Sequence, residues 1–260
     1  MDLKLTGLVA AITGGSDGIG RAIASRLAAE GCDVAIGARR AGPLREAAAE
    51  IHASSGRRVE ALCTDVSDAS RAGEFVQTAA DRLGRLDILV NNAGVSSAAR
   101  FEDVDDDTWE SDLRLKLYGA IWCTRAAIPH LRTAGGGAVV NMTTVGGKQP
   151  GAASVPTSVS RAAGIGLTKA LSKDLAADAI RVNTVMLGCV QSGQWERRWQ
   201  QQASGQPLED YYEAMGADVP LGRVGRAEEV ADLVAFLVSP LAAYITGTSV
   251  AIDGGRGDVI

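Results

Sequence analysis

Thr13-Gly14-Gly15-Ser16-Asp17-Gly18-Ile19-Gly20 follows the apolar run Leu8-Val9-Ala10-Ala11-Ile12 and leads into a segment with apolar residues at helical spacing. Strand, glycine turn and helix in that order present backbone N–H groups to a pyrophosphate. Glycine permits the tight turn and the close approach, and the helix N-terminus favours the anion. The spacing here is G-x-x-x-G-x-G, not the G-x-G-x-x-G of the commonest dinucleotide fingerprint. Glycine-rich turns also occur with no ligand to hold, so the rest of the chain must decide.

Working outward, short apolar runs at 8–13, 33–38, 59–63, 86–90, 138–142, 180–186 and 249–252 alternate with helix-period segments. Those segments lie at 19–30, 43–55, 69–83, 108–132, 158–177 and 227–238. The alternation predicts repeated βαβ units, hence an α/β Rossmann-type doubly wound parallel sheet with helices on both faces. Three further clusters follow predicted strands: Asp65-Val66, Asn91-Asn92-Ala93-Gly94 and Asp253-Gly254-Gly255. All fall at C-terminal strand ends, where open α/β sheets bind ligands. No linker, low-complexity tract or repeat divides the chain, which reads as a single dinucleotide-binding domain over 1–260. Segment 191–217 is polar and rich in Gln, Trp and Tyr, and reads as a substrate lid.

Composition narrows the function classes. Hydrophobic residues at 46 % suffice for a full core, and a net charge of −5 gives no electrostatic reason to bind nucleic acid or an anionic membrane. The four cysteines lack the spacing of a zinc site and the density of a disulfide scaffold. No apolar segment approaches spanning length, and the first residues lack the pattern of a signal peptide. The expectation is a cytoplasmic, metal-free protein acting on a small molecule.

Over essentially its whole length the chain resembles the short-chain dehydrogenase/reductase family. The resemblance rests on the T-G-x-x-x-G-x-G turn, Asp65, the N-N-A-G segment, Ile180-Arg181-Val182-Asn183, Pro220-Leu221-Gly222-Arg223 and Ile245-Thr246-Gly247. It implies a nicotinamide cofactor, with Gly14, Ser16, Gly18, Ile19 and Gly20 around the pyrophosphate and nearby ribose. Asp65 and Val66 would contact adenine, and Asn91, Ala93 and Gly94 would line the cleft. Val190 and Ser192 would meet the nicotinamide carboxamide, although Leu187 stands where the family usually has proline. Helices 108–132 and 158–177 would form the subunit interface of a tetramer or dimer, or of a hetero-oligomer with a competent homologue.

The second strand ends Ala38-Arg39-Arg40. An acidic residue there would bond the ribose 2′-OH of NAD and repel a 2′-phosphate, whereas Arg39 can pair with a phosphate through its planar fork of donors. NADP(H) is therefore expected over NAD(H), with Asp17 in the glycine turn as the one opposing charge.

The family's catalytic positions are all altered. Its asparagine, serine, tyrosine and lysine correspond here to Lys116, Thr144, Thr157 and Arg161, the last also a cofactor-binding position. Threonine at 144 keeps a hydroxyl. Threonine at 157 replaces a phenol of pKa about 10 with a far weaker acid, and Arg161 keeps the cation but cannot shuttle protons. Three readings follow: an NADP(H)-linked oxidoreductase with a noncanonical proton-transfer site, a non-redox enzyme acting on an anionic substrate through Lys116 and Arg161, or a non-catalytic subunit or cofactor sensor. Lys116, desolvated beside Arg161, would serve as acid or base, or else point to solvent or a subunit contact.

Overall fold

The computed structural model describes residues 2–203 and 205–259. Seven strands make one parallel sheet: β1 (Val9–Thr13), β2 (Asp33–Ala38), β3 (Val59–Cys63), β4 (Ile88–Asn91), β5 (Gly137–Thr144), β6 (Ile180–Leu187) and β7 (Ser249–Ile252). Their order is β3-β2-β1-β4-β5-β6-β7.

All five residues of β1 are buried because both faces of the sheet are covered. Ala10 and Ile12 pack with Ile23 and Leu27 of α1 (Gly18–Ala29), Leu44 of α2 (Ala41–Ser55) and Val234 of α9 (Ala227–Val238). Val9 and Ala11 face the other way, to Phe75 and Val76 of α3 (Ala69–Leu83) and Cys123 and Leu131 of α5 (Gly119–Thr133). The strand order reverses between β1 and β4, so the loops leaving those strands diverge and open a crevice at the C-terminal edge of the sheet.

The helix expected over 108–132 is interrupted. It runs as α4 (Asp106–Leu113), a π-helical turn over Arg114–Tyr118, and then α5. Such single wide turns recur at functional sites, and this one carries Lys116. The helix expected over 158–177 is α6 (Thr157–Asp174). The segment read as a lid contains α7 (Gly193–Gln202) and α8 (Leu208–Gly216). Ser204 within it, and Met1 and Ile260 of the expected domain span, lie outside the described residues. Among the described residues no helix is long and apolar enough to cross a membrane.

Candidate functional site

A cleft of about 880 Å³ opens at the C-terminal ends of β1, β2 and β4–β6. Gly14, Ser16, Asp17, Gly18, Ile19 and Gly20 form one wall. Arg39, Asp65, Val66, Ala93 and Gly94 line it as well, as do Val190, Ser192, Thr144, Thr157 and Arg161. Tertiary structure thus gathers most of the cofactor positions expected from the sequence at one place, whereas the Asp253-Gly254-Gly255 cluster lies outside the cleft lining. Asn91 is an exception: it turns inward and donates to Thr124 Oγ1 (3.1 Å) and Asn141 Oδ1 (2.8 Å). Its neighbour Asn92 lines the cleft instead, with Nδ2 donating to the carbonyls of Thr13 (3.0 Å) and Gly14 (3.2 Å).

The glycine turn fits a dinucleotide. Gly14 and Gly18 have φ of +70° and +50°, and a Cβ on Gly20 would lie 2.1 Å from the Gly14 carbonyl oxygen. Only glycines let α1 close on the turn this tightly. Asp17 is the N-cap of α1 yet its side chain makes no capping bond, so the first-turn N–H groups of Gly18, Ile19 and Gly20 stay open to an anion at the cleft wall. The volume lies within the usual range for cofactor sites.

The carboxylate of Asp17 is engaged elsewhere. Its Oδ2 accepts from Arg40 Nη2 at 2.9 Å and from Arg197 Nη1 at 3.0 Å. Arg197 is therefore an ion-pair partner of the glycine turn. Asp65 accepts from the Ser67 hydroxyl (2.7 Å) and amide (3.0 Å). Burial pushes its carboxyl up, but these bonds and the Arg39 charge outweigh burial and hold it below the usual carboxylate value.

Lys116 neither points to solvent nor lines the cleft; it is 6 % exposed, behind Thr157. Its Nζ donates to Asp112 Oδ2 and, at 2.9 Å, to Thr157 Oγ1. Asp112, 2 % exposed, also accepts from Ser160 Oγ (2.6 Å) and from Thr157 Oγ1 (3.3 Å). The Ser97 N–H completes the set around Thr157 Oγ1 at 3.0 Å. Asp112 and Ser160 went unnoticed in the sequence. The one local signal was the i,i+4 spacing of Asp112 and Lys116, which juxtaposes them on a helical face.

Burial, then the Arg161 charge, lower the Lys116 ammonium to about 8 against the opposing pull of Asp112. The picture of two free cations in the cleft is corrected accordingly: Asp112 balances Lys116, and Arg161 stands without a carboxylate partner among the described residues. Arg161 Nη1 donates to the Met142 carbonyl at 2.7 Å, its Nε has no partner, and burial lowers it to about 10. A Cβ on Gly94 would lie 2.4 Å from Nη2, so glycine there makes room for the guanidinium. Thr144 lines the cleft, whereas the hydroxyl of its neighbour Thr143 donates to the Val185 carbonyl at 3.4 Å.

Aromatic and thiol side chains are engaged as follows. Trp195 lines the cleft, whereas Trp199 donates to the Gln206 carbonyl at 2.9 Å. Tyr118 stacks on Trp122 at 5.5 Å. Cys189 accepts from Arg256.

The family model described as enoyl-(acyl carrier protein) reductase matches residues 14–256. A 3-oxoacyl-(acyl-carrier-protein) reductase of Synechocystis sp. is 33 % identical over 253 residues, 96 % of this chain and 97 % of its own. The crystal structure of L-sorbose reductase from Gluconobacter frateurii, complexed with NADPH and L-sorbose, matches with a TM-score of 0.95 at 31 % identity over 100 % of both chains. The apo structure of a short-chain oxidoreductase from Pseudomonas aeruginosa PAO1 containing an atypical catalytic centre gives 0.92 at 34 % identity, over 98 % of this chain and 99 % of its own. Sheet order, glycine turn and these matches agree: the chain belongs to the short-chain dehydrogenase/reductase family of oxidoreductases.

Proposed function

We propose that the protein is an NADP(H)-linked oxidoreductase acting on a small anionic carbonyl or alcohol compound, with Thr157, Lys116 and Asp112 handling the proton. The observation that carries this reading is the hydrogen-bonded chain from the cleft wall at Thr157 Oγ1 to the buried Lys116–Asp112 pair. Arg39 and Arg40 at the end of β2 support the phosphorylated cofactor, as does the NADPH complex of the similar L-sorbose reductase. Segments α7 and α8 act as the lid.

When bound, the cofactor supplies the hydride of a carbonyl reduction. Thr157 Oγ1–H is held by its longest contact, 3.3 Å to Asp112, and swings to the substrate oxygen. As it gives up that proton, Lys116 Nζ passes one to Oγ1 and is left neutral beside Asp112. The effective acid is then the ammonium near 8, well matched to operation around neutrality. Arg161, its charge unbalanced, stabilises negative charge developing on the substrate oxygen and holds an anionic substituent. Thr144 donates a second hydrogen bond to that oxygen.

The test is a screen of carboxylate-bearing ketones followed by the absorbance change of the nicotinamide. Turnover should fall by about 10²–10⁴ in Thr157→Val, the range for a lost acid–base group; a variant with full turnover would sink the relay. A second reading, a non-redox enzyme that stabilises an enolate, is favoured by the unpaired Arg161. Conversion of substrate without any absorbance change would select it.

A further inference from the structure

Asp17 presents a contradiction. Aspartate is among the best N-cap residues, it sits at the N-cap of α1, and its carboxylate does not cap. It also stands beside the position where an NADP 2′-phosphate would meet Arg39. What its carboxylate does instead is hold two guanidinium groups on a single oxygen, one from the end of β2 and one from α7, 180 residues away in sequence. Sharing one oxygen keeps the two donor nitrogens within the sum of 2.9 and 3.0 Å of each other, a spacing that a phosphate group can bridge.

We infer that Arg197 is the third arginine of the 2′-phosphate site, and that Asp17 stores Arg197 and Arg40 there until a phosphomonoester takes them over. The inference rests on the NADP(H) reading and deepens it, because it ties cofactor choice to the lid. Arg39, Arg40 and Arg197 leave a positive excess even after Asp17 and Asp65 are counted against them. A phosphate carrying −1.5 to −2 charges and three acceptor oxygens offers the guanidiniums more than one carboxylate does. The exchange is easy because the side chains are half exposed, at 58 % and 47 % for Arg40 and Arg197 and 41 % for Asp17. Pairs so exposed add little net stability and are readily exchanged.

Packing adds a structural link. A Cβ on Gly193, the first residue of α7, would lie 3.1 Å from both Arg197 Nη1 and Asp17 Cγ, and one on Gly18 would lie 3.2 Å from the Gly193 amide nitrogen. The first turn of α7 therefore rests directly on the glycine turn. Gln194 Oε1 accepts from the Ser96 N–H at 3.0 Å on the other side of the cleft. A phosphate that draws Arg197 inward pulls a helix already seated over the cofactor groove, and Trp195 beside it lines the same cleft. NADH, lacking the phosphate, leaves Arg197 on Asp17.

The experiment titrates NADPH, NADH and 2′,5′-ADP into the full chain by calorimetry. It also follows hydrogen–deuterium exchange of the amides at 193–202. Arg197→Gln should weaken NADPH and 2′,5′-ADP about tenfold, the effect of one lost charged hydrogen bond, and leave NADH unchanged. NADPH should slow exchange at 193–202 more than NADH does, and that difference should vanish in Arg197→Gln. Asp17→Asn should speed exchange at 193–202 in the cofactor-free protein, and NADPH should still slow it there. A wild-type protein that prefers NADPH while Arg197→Gln binds it equally well overturns this inference and leaves the cofactor assignment standing. Equal wild-type affinity for NADPH and NADH overturns the cofactor assignment itself.

Discussion

Burying a lysine is costly unless its charge is matched, and at Lys116 the match is Asp112 four residues earlier. Removing one partner strands the other. Lys116→Met is expected to destabilise the fold by about 3–5 kcal/mol in urea titration, while Lys116→Met with Asp112→Leu should recover most of the loss, since a well-packed apolar pair often replaces a buried ion pair without penalty. The same lysine gives a pH signature. Its folded value of about 8 lies below the ordinary 10.5, so between those values the unfolded chain binds more protons than the native one. Stability from this group therefore rises with pH from about 8 to about 10.5 and is flat below 8, where both states are protonated. Urea midpoints measured across that window should rise in the wild type, and the component should be missing in Lys116→Met.

At the scale of elements, the β1–α1 unit depends on contacts that admit no side chain. With only 2.1 Å between a Cβ on Gly20 and the Gly14 carbonyl oxygen, Gly20→Ala must push α1 away from the turn. A cost of about 1–3 kcal/mol is expected from overpacking, together with loss of measurable NADPH binding, read by thermal melting and calorimetry on the same sample. Asn91 is a joint of a different kind, bonding β4 to β5 through Asn141 and to α5 through Thr124. Asn91→Leu leaves Asn141 Oδ1 without that donor and should cost about 1–3 kcal/mol. Cofactor affinity should change little, because the side chain is not at the cleft. The π-helical turn between α4 and α5 is the remaining local departure, and it is what aims Lys116 at Thr157.

At the scale of the molecule, the two cores flanking the sheet are complete, yet apolar side chains remain outside. Phe101 is 73 % exposed, and Tyr118 on the π-helical turn and Val159 on α6 are 45 % and 44 % exposed. Those helical segments are the ones that the family resemblance places between subunits. Sedimentation should find a tetramer or dimer, and Val159→Arg should lower the mass without reducing helix content. A monomeric wild type at micromolar concentration would count against that assembly.

How much was legible depends on the range of the signal. Alternating apolar runs and helix-period segments located every strand, and the limits of β2, β3, β7, α3 and α9 agree residue for residue with the sequence reading. The glycine turn after β1 located the cleft, because positive φ and close backbone approach are demands that few other residues meet. Periodicity and backbone tolerance are local properties, so the chain determined by itself its fold class, its cleft and the altered residues there. The partners of those residues were decided only by tertiary structure. Asp112 of α4 accepts from both Thr157 and Ser160 of α6, Asn91 turns away from the cleft towards Asn141, and Arg197 crosses 180 residues to Asp17. Whether a charge is free, paired or buried depends on which elements the sheet order brings together, and no local pattern encodes that order.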